Sequence, residues 1–144
     1  MVEQDTIKLL RECDAGIKMG IASIDDVLEY VGSEKLQQRL SKCKEEHEEL
    51  GTEIRQQLTR FQDEGKDPNP IAKTMSEMKT SLKLTFKESD HTIADLITDG
   101  CNMGVKSLNR YLNQYKAADE FAKDITKRLI HLEEKLAVDI RGYL

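Results

Sequence analysis

The sequence is poor in the residues that build sheets, disulfide frameworks and membrane spans. It has no tryptophan, only two prolines, and 5% aromatic residues against 34% charged ones in 144 residues. This balance favours long amphipathic helices over a sheet. Apolar residues recur regularly along the chain, which argues against intrinsic disorder. The length suits a single domain spanning 1–144.

Other absences exclude several classes of partner and location. No apolar run approaches the roughly 18 residues of a transmembrane helix, and the segment Met1–Asp5 lacks the features of a signal peptide. The net charge of −5 includes no strongly basic block, so we expect neither nucleic acid nor membrane as a partner. Cys13, Cys43 and Cys101 are widely spaced, which predicts reduced core thiols in a cytoplasmic protein.

Hydrophobic periodicity predicts four long helices and a short one. The predicted helices span 6–31, 34–62, 70–80 (short), 82–115 and 119–143. Thr6 or Asp5, Ser33 and Asp119 are the predicted N-caps. Both prolines fall in the one clear break, which predicts a crossover over 63–80 that carries the short helix.

The helices predict an all-α four-helix bundle with two hairpins joined by the crossover. The crossover is long enough to pass from one end of the bundle to the other. We therefore prefer an up-down-down-up order of helix directions, with up-down-up-down as the alternative.

A few polar residues fall on or beside the apolar stripes, where they would point inward. Asp14, His47, Asp90 and Glu133 could together ligate a metal, since bundles build metal sites from inward carboxylates and imidazoles. The favoured interpretation is structural: a satisfied core histidine and a carboxylate near water, with a possible Asp14–His47 contact. The four glycines at 16, 20, 100 and 104 lie inside predicted helices, and Gly100 and Gly104 are predicted to face the apolar side.

Several segments resemble the ferritin-like superfamily, especially uncharacterised bacterial rubrerythrin-like four-helix bundles. They are Leu9–Ile17, the pair Glu46-His47, the crossover rich in proline and glycine, and Gly104–Leu108. The resemblance implies a ferritin-like fold and, in the family, a di-iron centre of glutamates and E-x-x-H motifs. This chain departs from that pattern at Lys44 and Arg128, three residues before His47 and His131, and at Asn102.

Three functional hypotheses follow. The leading one is a ferritin-like bundle without an intact di-iron site and without a favoured cofactor. It would act by association with a second copy or with a helix of another protein. The alternative is an oxidoreductase or storage protein that binds iron or another divalent metal. The third is a histidine phosphotransfer module using His91, which belongs to the only E-x-x-H and is predicted to lie on a solvated helix face.

Overall fold

The computed structural model describes residues 2–68 and 89–144, and these residues form four α-helices without a strand. The predicted all-helical class is therefore confirmed. The helices are α1 (Val2–Leu28), α2 (Glu34–Arg60), α3 (Ser89–Gln114) and α4 (Glu120–Ile140), and a 3₁₀ helix spans Arg141–Tyr143. The predicted short helix over 70–80 and the predicted start of the third helix over 82–88 lie outside the described residues.

The helix ends differ from the prediction by a few residues. Helix α1 ends at Leu28 instead of residue 31, because the chain then turns, with the Tyr30 N–H bonded to the Val27 carbonyl at 2.9 Å. Helix α2 stops at Arg60 because Gln62 adopts a left-handed conformation, with φ 58°. The apolar stripe continues past both helix ends, which explains why periodicity overextends them.

Two of the predicted N-caps are confirmed, and the third is wrong. The Ser33 and Asp119 side chains accept hydrogen bonds from the N–H groups of residues 36 and 122. Helix α1 begins at Val2, before Thr6 and Asp5, so neither can cap it. Both side chains instead accept hydrogen bonds from backbone N–H groups of the turn between α3 and α4. The Asp119 N–H donates to Thr6 at 2.8 Å, and the Ala117 N–H donates to Asp5 at 3.0 Å.

At the opposite end of the bundle, backbone N–H groups of the turn between α1 and α2 also bond to a side chain of another helix. The Asp90 carboxylate, in the first turn of α3, accepts from the Gly32 N–H at 2.7 Å and from the Ser33 N–H at 3.0 Å. The Ser33 hydroxyl also lies 3.2 Å from the Tyr143 hydroxyl, just after α4. Each end of the bundle thus has one turn between helices, and that turn is hydrogen-bonded to a helix of the other hairpin.

The core consists of two apolar clusters, one in each half of the bundle. Cys13 belongs to the first, while Cys43 and Cys101 belong to the second. All three thiols are buried and free, as predicted for core residues. Within the described residues, none of the helices combines the length and apolar character required to cross a membrane. The first cluster includes Leu9, Ile17, Ile54, Leu108 and Leu129, and the second includes Ile24, Leu40, Ile93, Leu136 and Ile140.

Three pairs of charged side chains join α2 to α4 across the two hairpins. Residues progressively later in α2 meet residues progressively earlier in α4, so the two helices are antiparallel. The sign of the charge also changes along each helix. A shifted register between α2 and α4 would therefore bring like charges together. The pairs are Arg39–Asp139 at 2.7 Å, His47–Glu133 at 3.5 Å and Glu53–Arg128 at 3.0 Å.

Candidate functional site: a polar layer between the two halves of the core

One level of the bundle separates the two apolar clusters, and each helix contributes one residue to it. These residues are Gly20 of α1, His47 of α2, Gly104 of α3 and Glu133 of α4. We call them the polar layer. Its two side chains come from neighbouring helices of different hairpins, and its two glycines come from the other helix of each hairpin. The layer is the candidate site because it holds ionisable groups at mid-bundle, where bundles place their metals and cofactors.

His47 is the centre of the polar layer, and only 2% of it is exposed. Its Nδ1 lies 2.8 Å from the Cys43 carbonyl oxygen, one helical turn earlier. Its Nε2 lies 3.5 Å from Oε1 of Glu133. Both ring nitrogens thus face oxygen acceptors, and only the doubly protonated imidazolium can donate to both. The geometry therefore favours a charged His47 paired with a Glu133 carboxylate.

The charged state of His47 is also favoured by the balance of forces on the ring. Burial opposes the charge, but hydrogen bonding to the Cys43 side chain, whose Sγ lies 3.4 Å from Nδ1, and then to Glu133 outweighs burial and raises the pKa of His47 to about 10. Two other buried groups, the thiols of Cys101 and Cys13, favour their neutral forms instead. Burial, followed by the charge of Glu133, raises the pKa of the Cys101 thiol. Burial likewise raises the pKa of Cys13 to about 12, so both thiols are neutral and poor nucleophiles.

The two glycines make room for the buried pair. A Cβ added at Gly20 would lie 3.0 Å from Cδ2 and Nε2 of His47. A Cβ added at Gly104 would lie 2.6 Å from Oε2 of Glu133. Each glycine costs a helix about 1 kcal/mol relative to alanine, and close approach of the polar pair explains why that cost is tolerated. The prediction that Gly104 faces inward is therefore confirmed, whereas it is wrong for Gly100, which is exposed.

The four predicted metal ligands do not come together. Only His47 and Glu133 are in contact, at 3.5 Å. Asp90 binds the turn between α1 and α2, because its position in the first turn of α3 brings it to the end of the bundle. Asp14 accepts from Lys18 at 2.9 Å and from the Lys66 N–H at 3.0 Å, and so it binds the chain after α2 instead of His47.

The polar layer does not fit a di-iron centre. Such a centre takes a glutamate from each of two helices and a Glu-x-x-His motif from each of the other two. Here α1 and α3 contribute glycines to the layer, and the ring nitrogens of His47 both have acceptors. Among residues 2–68 and 89–144, no group of three or more histidine, cysteine or acidic side chains is arranged to hold a metal ion.

The other two histidines lie on the outside of the bundle. His91 and His131 are both exposed, which confirms their predicted positions on solvated helix faces. The neighbouring Asp90 carboxylate is occupied by the N–H groups of the α1–α2 turn. A phosphotransfer role for His91 stays a prediction.

Sequence reasoning missed one charged residue beside the polar layer. Arg39 is mostly buried, pairs with Asp139 at 2.7 Å and approaches Glu46 at 3.7 Å. The only available signal was its position four residues before Cys43 and eight before His47, which places it near their helix face. Nothing in the sequence identifies its partner on α4.

Comparison with family models, curated proteins and solved structures gives no match.

Proposed function

We propose that the chain is a ferritin-like bundle of the rubrerythrin-like type that lacks a di-iron centre and acts by protein–protein association, first of all with a second copy. The observation that carries this proposal is the polar layer. An internal His47–Glu133 pair occupies the level at which a metalloprotein of this type would need ligands from all four helices.

An up-down-down-up order of helix directions is part of the proposal, and contacts between the hairpins support it. Helices α1 and α4 run parallel, since the Thr6–Asp119 bond is followed seven residues later along both helices, about two turns, by Cys13–Thr126 at 3.2 Å. Helix α3 starts beside Gly32, where α1 ends. The chain after α2 runs beside α1 and in the same direction, since Asp63 pairs with Arg11 and Asp67 with Lys18. This path is the one that a crossover between the two ends requires.

We propose that the protein resides in the cytoplasm. Three free buried thiols support it, because reducing compartments preserve unpaired cysteines.

For self-association, the described surface has a small apolar patch on α3, formed by Gly100 and Met103. Gly100 is exposed, and Met103 on the same side of the helix is 70% exposed. Among the described residues, a Cβ at Gly100 would meet nothing within 4 Å, so its missing side chain makes room for no contact there. Close approach of a second copy at this patch would explain why the helix tolerates the cost of that glycine.

Sedimentation of the full chain tests the association. At protein concentrations up to about 1 mM, even a binding free energy of about −4 kcal/mol is detectable. We expect a dimer that is lost in Met103→Lys and retained in Val138→Lys, which adds the same charge at a 52% exposed position on α4. A monomeric wild type, or equal loss in both variants, would overturn the proposed dimer.

A metal-binding oxidoreductase or storage protein is the second candidate, and one distance favours it. The 3.5 Å between Nε2 of His47 and Oε1 of Glu133 is close to the separation of two ligands of one metal ion. Elemental analysis of untagged protein from iron-supplemented cells separates the candidates. We expect less than about a tenth of an equivalent of iron, manganese or zinc; a stoichiometric metal that is lost in Glu133→Gln would establish the second candidate.

A further inference from the structure

Asp14 is a second buried charge, and its surroundings differ from those of His47. Its side chain is only 1% exposed. A buried carboxylate requires paired charge or hydrogen-bond donors. Asp14 has two donors, the Lys18 ammonium at 2.9 Å and the Lys66 N–H at 3.0 Å, and both bind the same oxygen, Oδ2.

The Lys66 donor belongs to a short segment, residues 63–67, which we call the strap. The strap leaves the end of α2 and lies along α1. Besides the Asp14 contact, each end of the strap pairs with a charge on α1. The ion pairs are Asp63–Arg11, Lys66–Glu12 and Asp67–Lys18.

The strap lies over Asp14 at a glycine. Gly65 has φ 87°, a conformation that side chains rarely adopt, and a Cβ there would overlap the Asp14 carboxylate. The Gly65 N–H bonds to Asp63 at 2.8 Å, within the strap itself. The strap thus has a local turn of its own and a separate attachment to α1 through the Lys66 N–H.

The closed strap leaves one atom unsatisfied. Oδ1 of Asp14 is buried and has no hydrogen-bond donor in the part of the chain that the structure describes. A buried carboxylate oxygen without a donor is costly, and water would satisfy it if the strap moved away. Opening therefore gains hydration of Oδ1, while closing gains the Lys66 hydrogen bond and the ion pairs.

The ion pairs that favour closing are weak ones. In each pair one side chain is well exposed, Arg11 at 45%, Lys66 at 43% and Asp67 at 89%, while the partners Asp63, Glu12 and Lys18 are 21%, 15% and 33% exposed. Pairs with an exposed member contribute little and are screened by salt. The ion pairs therefore favour the closed arrangement only weakly.

We propose that the strap is an electrostatic lid on Asp14, which lifts from α1 as a unit while the four helices stay folded. Asp14 is the charge that holds it, and ionic strength shifts it towards the open state. Lys18 stays beside Asp14 when the strap lifts, because both residues belong to α1. This inference is independent of the proposed association and of whether a metal binds.

Amide exchange measured by NMR on the full chain tests the lid. In Asp14→Asn, and in wild type when sodium chloride is raised to about 1 M, we expect the Lys66 amide to exchange roughly tenfold faster, since its charged acceptor is lost or screened. The amides of α1 and α2 should keep their exchange rates. The matched control is Asp25→Asn, which removes a comparable ion pair between α1 and α2 with Lys44 and should leave the Lys66 amide unchanged.

Two results would overturn the proposal. One is a Lys66 amide whose exchange is unaffected by both salt and Asp14→Asn. The other is equal acceleration of the α1 amides, which would mean that Asp14 stabilises the helix instead of holding the strap. If Asp14→Asn does not fold, Asp67→Asn at the exposed end of the strap replaces it, with a smaller acceleration expected at the same amide.

Discussion

Among the described residues, the polar layer and Asp14 under the strap are two places where charged side chains are buried, and they differ in how the charge is compensated. In the polar layer, every donor of the His47 ring faces an acceptor, and the partner comes from a different helical hairpin. At Asp14, one oxygen takes two donors, the other takes none in the described residues, and one donor lies in a short segment outside the helices.

This difference separates a permanent contact from a releasable one. Breaking the His47–Glu133 pair requires the two hairpins to separate or leaves a charge buried without a partner. Lifting the strap requires neither, because water can reach Asp14 while Lys18 remains bound to it. Equally buried charges can therefore stabilise the fold in one place and permit local opening in another.

The largest effect should come from removing one member of the polar pair. Glu133→Ala leaves His47 buried without its counter-charge, and we expect a loss of about 3 kcal/mol in the free energy of unfolding. Denaturant unfolding measures it. The control is Glu134→Ala at the exposed neighbouring position, which should change stability by less than about 0.5 kcal/mol. Equal losses in the two variants would show that the buried pair contributes no more to stability than an exposed carboxylate beside it.

The pH dependence of stability should be the next largest effect. The folded-state pKa of His47 is about 10, well above the ordinary histidine value of 6.5. Because this pKa is raised, the contribution is complete below pH 6.5 and is lost as pH rises towards 10. Between pH 6.5 and about 8.5, wild type should lose about 2 kcal/mol more than His47→Gln, measured by denaturant unfolding. Parallel pH profiles would show that His47 is neutral in the fold.

Two glycines on α3 differ in what an added side chain would meet. Gly104→Ala should destabilise the chain by about 1–2 kcal/mol, because the new Cβ forces Glu133 away from His47. The new Cβ of Gly100→Ala meets no described residue within 4 Å, and the substitution should stabilise the monomer by about 0.5–1 kcal/mol, since alanine favours the helix. Thermal unfolding at a low protein concentration measures both. Stabilisation by Gly104→Ala would show that the layer has spare room.

The smallest change in global stability should come from the strap. Asp14→Asn should alter the free energy of unfolding by about 1 kcal/mol or less, because Lys18 is partly exposed and the strap can lift without unfolding the helices. Denaturant unfolding at low salt measures the change. A loss as large as that of Glu133→Ala would erase the distinction between the two buried charges.

The helices and their turns were predictable because they depend on local patterns. The spacing of apolar residues locates all four helices, and Ser33 and Asp119 mark two helix starts through hydrogen bonds within the next turn. The inward position of His47 also follows from its place on the stripe. Each of these features depends only on residues close together in the chain.

The partners of the polar residues could not be predicted in the same way. Periodicity predicts that Asp14 and Asp90 point inward, but their partners depend on how distant segments pack. Asp14 meets a segment whose path depends on the positive φ of Gly65, and Asp90 meets a turn 57 and 58 residues away in the chain. Helix faces alone thus allow a four-residue metal site as an alternative, although its members occupy three different places.

The protonation state of His47 tests the account most directly, and ¹⁵N NMR of the imidazole reads it. At about pH 8 a free histidine is neutral. We predict that both ring nitrogens of His47 carry protons at this pH, and that one equivalent of zinc or manganese leaves their signals unchanged. A neutral ring, or a ring nitrogen whose signal shifts or broadens with the metal and recovers with a chelator, would contradict the account and identify the polar layer as a metal site.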